Sequence, residues 1–403
     1  MIVITEKSNI KYLLFGSLYF TEGLIKVFAV VILPVFFLEK GISPELITLI
    51  LGITAVPMII KFIWGGITDY YISKGRKPFI FLGGMLSVIS LFVLAFIDPG
   101  VALIPFGAFL FISWSGVGFL DVSSDALAIE ISKEKERGKI NGAMYGGLSC
   151  GMAIGSILLP FIANNYGYSA AFITAAIMIF FIIIFPLCIK ERKKSTSRKK
   201  AVPILINEFK KKTTIMITLF ACLIAMNSGM LLFFIPLFLD LDLGLDIGQI
   251  GFITAVFTVS LTIGSFFGGF LADRFDRKNI LYFLIIGSIL STGSLIFSYD
   301  LQSFVVIYSI IGFLQGGYFV SLMALCMDIT NPKVGATQFS ILMGMGNLGL
   351  MLSGAASGFM YVILGFNKLF LYSAWVFGPP LLLLYFIRLK KSDHDKKLLE
   401  VNA

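Results

Sequence analysis

The distribution of basic residues is the feature that most limits how this chain can fold. Long apolar stretches divide the sequence into twelve segments, each long enough to cross a hydrocarbon core that needs about 20 helical residues. Of the 32 lysines and arginines, 28 lie before the first segment, in the even-numbered connections, after the last segment or within two residues of a segment end that adjoins one of these regions. Because basic loops are retained in the cytoplasm, this asymmetry predicts a multi-pass integral cell membrane protein with both termini cytoplasmic. The predicted spans, numbered 1 to 12, are 11–38, 44–71, 78–97, 101–129, 138–165, 168–189, 213–239, 246–272, 278–298, 302–329, 334–363 and 366–389.

The composition excludes a soluble globular protein. Hydrophobic residues make up 58% of the chain and charged residues only 14%, whereas a soluble domain has about 25% charged residues. The net charge of +9 is explained by cytoplasmic loops that face anionic membrane lipid. No basic module with interleaved aromatic residues lies outside the spans, so we expect no nucleic-acid partner. The cysteines lie in apolar spans without metal-ligand spacing, and we expect no metal and no cofactor.

A strongly basic stretch divides the chain into two sets of six spans. It reads KERKKSTSRKK at 190–200 and continues as NEFKKK at 207–212. We therefore predict an all-α membrane protein with two pseudo-symmetric six-helix bundles, and expect it to be a monomer. The predicted parts are an N-terminal bundle (1–189), a basic cytoplasmic linker (190–212), a C-terminal bundle (213–389) and a cytoplasmic tail (390–403).

The two halves repeat one motif after their second span. The first copy is GGITDYYISKGRKPFIFLGG at 65–84, and the second is GGFLADRFDRKNILYFLIIGS at 268–288. Each copy has two glycines, then an aspartate, then an Arg-Lys pair, then a new span. A duplication at corresponding positions of two halves is typical of secondary transporters.

The second copy resembles the loop motif of the major facilitator superfamily, G-x-x-x-D-R-x-G-R-K, with Asp276 in place of the second glycine. In the first copy three extra residues follow Asp69, and Tyr70 replaces the arginine. An aspartate at such a helix end can face the positive N-terminus of another helix, so we expect a cytoplasmic latch between the bundles. Asp69 would face the start of span 11, and Asp273 the start of span 5. The predicted latch residues are Asp69, Arg76, Lys77, Asp273, Arg274, Arg277 and Lys278.

Three further stretches resemble the muropeptide permease and acetyl-CoA transporter branch of that superfamily. These are KFIWGGITDY (61–70), where Gly66 replaces a proline, DVSSDALAIEISKEKERGKINGAMYGGLSCG (121–151) and GATQFSILMGMGNLGLMLSG (335–354). The resemblance implies a gradient-coupled permease for an organic solute, without fixing which solute.

Charged residues inside the spans are expensive to bury and therefore mark candidate functional positions. Glu22 and Lys26 are four residues apart, so they share a helix face and can pair. Such a pair either braces the bundle or lines a cavity that binds a polar solute. Lys61 lies too deep in span 2 to reach the interface easily and needs a carboxylate or an anionic ligand. A basic side chain at this depth favours an anionic or zwitterionic solute.

Asp121 and Asp125 project from one face of span 4. Mutual repulsion and desolvation both favour the protonated form of such carboxyls. We predict Asp125 as the proton carrier, with Lys61 or Lys26 as its partner and with Asp121 and Glu22 as further proton-coupling candidates. The predicted solute-binding residues are Lys26, Lys61, Tyr19, Tyr145, Asn227, Gln315, Tyr318, Gln338 and Asn347.

Two short matches to enzyme motifs do not fit their surroundings. GMGNLG (344–349) lies in an apolar helical stretch rather than after a strand, and GLSCG (147–151) lacks a histidine base because His394 is in the tail. We predict a transporter rather than an enzyme, with proton-coupled uptake of a small organic solute by alternating access. Two alternatives remain open: a proton-driven efflux pump for amphipathic compounds and a non-transporting membrane sensor or scaffold.

Overall fold

The chain folds as a bundle of membrane-spanning helices. The computed structural model describes residues 2–3, 8–71, 74–131, 137–190, 201–298, 300–331 and 335–387. Within these ranges, eleven helical stretches are long and apolar enough to cross a membrane. The last, Thr337–Phe386, contains two spans because Gly365 has φ 70° and ψ 172° in its interior. The predicted all-α membrane fold is confirmed, and spans 11 and 12 are separated at Gly365.

Several spans are built from more than one helix. Span 1 consists of Ser8–Val27, a π-helical turn at Phe28–Ile32, and Leu33–Glu39. Span 2 consists of Pro44–Thr54, Val56–Ile59 and Lys61–Tyr70. The other spans of the first half are Lys77–Leu94, Leu103–Ile131, Arg137–Tyr166 and Tyr168–Ile184, the last followed by a 3-10 turn at Phe185–Cys188. Those of the second half are Lys212–Leu241, Ile247–Arg274, Arg277–Ser294 with a 3-10 turn at Leu295–Phe297, and Leu301–Ile329. The stretch Gly335–Trp375 holds span 11 up to Gly365 and the first part of span 12, which continues as Gly378–Phe386.

The alternation of the spans defines two sides of the molecule. We call the side that carries the linker 190–212 the linker side and the opposite side the far side. On the far side, Asp246 accepts hydrogen bonds from the backbone N–H groups of Gly248 (2.7 Å) and Gln249 (3.1 Å), which caps the start of span 8. Asp300 caps span 10 in the same way through Ser303 N–H at 2.7 Å. These caps satisfy backbone donors that the helix itself leaves unpaired.

Glycines allow the first and fifth helices of each half to approach closely. A Cβ atom on Gly147 of span 5 would lie 2.0 Å from the carbonyl oxygen of Gly16 in span 1. A Cβ atom on Gly349 of span 11 would lie 1.9 Å from the carbonyl oxygen of Cys222 in span 7. Small residues at such positions let membrane helices pack backbone to backbone. The same contact therefore occurs in both halves, as the internal repeat predicts.

The two halves meet on the far side. Thr48 of span 2 donates a hydrogen bond to the carbonyl oxygen of Ala355 in span 11 and accepts one from Gly358 N–H, both at 3.2 Å. Gly251 of span 8 packs on span 5 so tightly that a Cβ atom would lie 2.2 Å from Ser156 O. These two contacts, one on each side of the pseudo-symmetry, form what we call the far-side seal.

The structured part of the linker is helical. Helix Ala201–Phe209 occupies most of its second half, and residues 191–200 lie outside the described residues. The first linker residue, Lys190, belongs to a two-residue strand, Ile189–Lys190, that pairs in parallel with Ile2–Val3. The predicted tail at 390–403 also lies outside the described residues, and the proposed part boundaries stay predictions.

We predict that Gly365→Ala destabilises the protein. Its backbone lies in a region that is essentially restricted to glycine, so a Cβ atom should cost about 1–3 kcal/mol. Thermal unfolding of the purified protein in detergent measures this loss. Gly378→Ala is the matched control, because Gly378 has ordinary backbone angles and open space around its Cα. Equal melting temperatures for both variants would contradict the role assigned to Gly365.

Candidate functional site

Five charged residues and a tyrosine from spans 1, 2 and 4 form a buried polar cluster. Lys61 Nζ lies 2.9 Å from Asp121 Oδ2, and the Tyr19 hydroxyl donates to Asp125 Oδ1 at 2.5 Å. Asp121 is 4% exposed, so its carboxylate is buried in the protein interior. We call the set the charged cluster; its members are Tyr19, Glu22, Lys26, Lys61, Asp121 and Asp125.

The two aspartates of span 4 take different partners. Because they are four residues apart on one helix, they share a face and look toward the same region. Asp121 pairs with Lys61 from span 2, whereas Asp125 accepts from Tyr19 of span 1. The sequence analysis proposed Lys61 or Lys26 as the partner of Asp125, and the geometry differs. The helix rotation places Asp121 closer to span 2 and Asp125 closer to span 1.

Lys26 forms an ion pair with a residue of its own helix. Its Nζ lies 2.7 Å from Glu22 Oε1, and the Glu22 side chain is 7% exposed. Tyr19, Glu22 and Lys26 follow one another at intervals of three and four residues, so they line one face of span 1. This face brings a neutral hydroxyl, a carboxylate and an ammonium group toward span 4.

Lys61 lies directly after a break in span 2. The helix is interrupted at Ala55 and again at Ile60, and Lys61 begins the next helical piece. The break leaves backbone carbonyls free to accept from side chains. Trp64 Nε1 donates to Pro57 O, and Asn347 Nδ2 of span 11 donates to Met58 O, both at 3.3 Å. Interrupted helices of this kind are typical of binding sites at the interface between transporter repeats.

Tyr145 connects the cluster to the second half. Tyr145 of span 5 stands beside Tyr19, with 6.3 Å between ring centroids, and its hydroxyl lies 3.5 Å from the sulfur of Met323 in span 10. Tyr145 is nonetheless 41% exposed. Because it has a neighbour in each half, Tyr145 lies where the two halves meet. The described contacts therefore join the halves at the far-side seal and again at Tyr145 and Met323.

The predicted solute-binding residues of the second half lie in different surroundings. Asn227 and Tyr318 are buried and bonded within that half, through Asn227 Nδ2 to Ser373 O at 2.8 Å and through Tyr318 OH to Ser228 Oγ at 2.7 Å. Gln338 Oε1 accepts from Asn331 N–H at 2.9 Å. Gln315 differs, since its buried Oε1 has no hydrogen-bond partner among the described residues. Gln315 is therefore the residue of this set with unused bonding capacity.

Sequence reasoning missed the break in span 2 and the contacts it permits. The carbonyl groups of Pro57 and Met58 carry no side-chain signal, although Pro57 itself marks a position where a helix is readily interrupted. The far-side seal through Thr48 was also missed, because a threonine in an apolar span has no distinctive pattern. Both features depend on how helices from different halves pack.

Comparison with known proteins agrees with this architecture. The family model of the Major Facilitator Superfamily matches residues 15–238 and 217–401. The chain belongs to this superfamily. Superfamily members are membrane transporters, and the predicted family resemblance is confirmed.

Relatives and solved structures of this superfamily support the assignment. The anhydromuropeptide permease of Escherichia coli K12 is 22% identical over 347 residues, which cover 82% of this chain and 70% of the permease. The multi-drug resistance efflux pump PmrA of Streptococcus pneumoniae is 28% identical over 215 residues, half of each chain. A bacterial homologue of the human lysosomal transporter Spinster, solved in an inward-facing and occupied conformation, superposes with a TM-score of 0.76 at 14% identity, covering 96% of this chain and 98% of that one.

The structure describes only some side chains of the predicted latch. The side chains of Asp69, Asp273 and Arg274 lie outside the described residues, as do those of Gly138 and Val334–Gly335, which the two aspartates were expected to face. Arg76 is buried and donates from Nη1 to Thr68 Oγ1 at 3.1 Å, while Lys77 begins span 3. These residues stay predictions as parts of a latch.

The second Arg-Lys pair binds within its own half. Arg277 Nη1 pairs with Asp328 of span 10 and donates to Ala324 O at 2.9 Å. Lys278 Nζ donates to Tyr385 O and Ile387 O of span 12, both at 2.9 Å. Both side chains tie the start of span 9 to neighbouring helix ends.

We predict that Asp121→Leu destabilises the protein by about 3–5 kcal/mol, because it leaves the Lys61 ammonium buried without its carboxylate. The double variant Lys61→Met/Asp121→Leu should recover most of the loss, since both charges are then gone. Unfolding of the wild type, both single variants and the double variant in detergent completes the cycle.

The control for this cycle is the pair Lys40–Asp98. It has a similar distance, 2.6 Å, but its side chains are 34% and 47% exposed. The coupling energy of this exposed pair should be much smaller than that of the buried pair, because solvent screens it. Equal coupling energies in the two cycles would contradict the burial argument.

Proposed function

We propose that this chain is a secondary active transporter that couples uptake of a small organic solute to protons bound at Asp125. The observation that carries the proposal is the charge balance of the charged cluster. Glu22 pairs with Lys26, and Asp121 pairs with Lys61. Asp125 is the remaining carboxyl of the cluster, and its bonded partner there is the neutral Tyr19 hydroxyl.

The charge balance gives the cluster two protonation states that differ in the free energy needed to bury them. With Asp125 ionised, the cluster carries one net negative charge in an environment of low dielectric constant. With Asp125 protonated, the cluster is neutral and easier to enclose. A transporter can use this difference, because closing the halves around the cluster is favoured after protonation. Tyr19 can reorient its hydroxyl to serve either state as donor or acceptor.

The far-side seal supports alternating access. Thr48–Ala355–Gly358 on one side and Gly251–Ser156 on the other hold the halves together. In this proposal, the exposed side of Tyr145, which is 41% exposed, borders the route from the cluster to the linker side. We interpret this arrangement as the state that exchanges solute and proton with the linker side. Because the basic residues lie on that side, we assign it to the cytoplasm.

The solute site would lie between the two halves, next to the cluster. Lys26 is 32% exposed at its side chain and could bind an anionic or zwitterionic group. Gln315 Oε1 has an unused acceptor in the opposite half, which suits a solute that carries hydroxyl or amide donors. The E. coli relative is by its name a permease for anhydromuropeptides, and solutes of that polar organic class are the first to test. Both halves of one chain supply the site, so a monomer would suffice.

Export is the second candidate, because the S. pneumoniae relative is by its name a multi-drug efflux pump. The coupling residue would be the same, and only the direction of net solute movement would differ. Liposomes with an imposed pH gradient of either sign separate the two. Accumulation of an anhydromuropeptide against its gradient supports uptake, while proton-driven extrusion of a cationic amphipathic dye supports export.

We predict that Asp125→Asn abolishes accumulation driven by a pH gradient while solute exchange between two loaded compartments persists. The amide keeps the size of the carboxyl but cannot release a proton in this range. The assay is uptake of radiolabelled solute into liposomes, with counterflow as the exchange measurement. Asp98→Asn, at an exposed far-side carboxylate that binds Lys40, is the control and should accumulate normally. Unchanged accumulation by Asp125→Asn at every pH would rule out the assignment.

We also predict that Gly251→Leu reduces exchange at least tenfold by preventing formation of the far-side seal. The added side chain would collide with the backbone of span 5, where even a Cβ atom comes within 2.2 Å of Ser156 O. The protein should then remain open toward the far side. Gly107→Leu is the control, because the space around Gly107 is open. Full exchange by Gly251→Leu would show that the seal is not required.

A further inference from the structure

The second half of the linker presents an unusual surface to its surroundings. Helix Ala201–Phe209 carries Ile206, which is 52% exposed, next to the exposed Asn207. Three consecutive exposed lysines follow the helix. We call this set the linker surface; its members are Ile206, Asn207, Lys210, Lys211 and Lys212.

The chain places the linker surface at the membrane boundary. Lys212 is the first residue of span 7, so the helix ends three residues before a membrane-spanning segment. Phe209 packs against the core that includes Ile217, Leu281 and Phe377 of the second half. The helix is thus held beside the bundle at the level where span 7 begins.

Glu208 fixes the orientation of the linker surface. Its Oε1 accepts from Asn331 Nδ2 at 2.7 Å, and its Oε2 lies 2.5 Å from Lys211 Nζ. Glu208 is 6% exposed, and its bonds to Lys211 and Asn331 hold the pKa of the carboxyl below its usual range. Asn331 N–H in turn donates to Gln338 of span 11. The helix is therefore anchored to the connection between spans 10 and 11 on one face and exposes the linker surface on another.

The chemistry of the linker surface is that of a headgroup-binding segment. An exposed isoleucine beside lysines is unfavourable in water, but it suits the boundary between acyl chains and anionic headgroups. Lys211 is partly neutralised by Glu208, so Lys210 and Lys212 are the charges available to a ligand. The whole linker, 190–212, has ten basic and two acidic residues, which gives it the sign that anionic lipids attract.

We propose that the linker surface docks on anionic lipid headgroups. Ile206 would insert beside the acyl chains, and Lys210 and Lys212 would bind the headgroup phosphates. Docking would hold helix Ala201–Phe209 flat against the membrane. This proposal does not depend on the transported solute or on proton coupling.

Hydrogen–deuterium exchange of the full chain in lipid nanodiscs tests the proposal. Backbone amides of residues 201–212 should exchange more slowly as phosphatidylglycerol replaces phosphatidylcholine. The variant Lys210→Gln/Lys212→Gln should lose this dependence, because each lysine near an anionic surface contributes about a fivefold change in the docking equilibrium. Lys74→Gln/Lys368→Gln removes the same charge elsewhere and should behave like the wild type. Amides within span 6, Tyr168–Ile184, serve as the internal reference.

Three outcomes would overturn the proposal. The first is equal exchange of residues 201–212 in both lipids. The second is a lipid dependence that survives in Lys210→Gln/Lys212→Gln. The third is slowing by inorganic phosphate in phosphatidylcholine nanodiscs to the same extent as by phosphatidylglycerol, which would identify a free anion as the ligand.

Discussion

Burial of ionisable groups in a low-dielectric interior is the constraint on which this structure depends. Four of the five charged side chains of the cluster are arranged as two ion pairs, Glu22–Lys26 and Lys61–Asp121. Each pair removes the cost of an isolated charge, although neither adds much net stability over apolar side chains of equal size. Net folding stability alone therefore does not account for the presence of these groups. Asp125 differs from these four side chains because no lysine of the cluster forms an ion pair with it.

The same reasoning explains why the two halves differ despite their common fold. In the second half, Asn227 and Tyr318 use their polar atoms on neighbours within that half. Such neutral groups can be satisfied by one bond each and need no ion pair. The first half therefore holds the ionisable groups of the charged cluster, while the second half contributes neutral groups such as Gln315 and Asn347. This distribution agrees with the proposed division of proton coupling and solute contact between the halves.

The sequence predicted what is local and missed what depends on packing. The approximate positions of the spans and the pairing of Glu22 with Lys26 follow from patterns within one segment, and the structure shows both. The boundaries of the linker stay a prediction. The partner of Lys61 could not be derived, because both Asp121 and Asp125 lie on the same face of span 4. A small rotation of that helix decides which carboxyl meets span 2. The break at Ile60 was missed because apolar composition alone does not distinguish a continuous helix from an interrupted one. The helix at Ala201–Phe209 was missed because the basic residues on both sides of it indicated a solvated linker.

Span 2 contributes residues to both the far-side seal and the charged cluster. Thr48 forms the seal near one end of this span, and Lys61 reaches Asp121 beyond the two interruptions at Ala55 and Ile60. A continuous helix would transmit a displacement of Thr48 rigidly to Lys61. If the halves separate as the proposed alternating access requires, short helical pieces would instead allow the far-side end to leave span 11 while Lys61 keeps its carboxylate. The interruptions would then spare the buried lysine the cost of losing its partner.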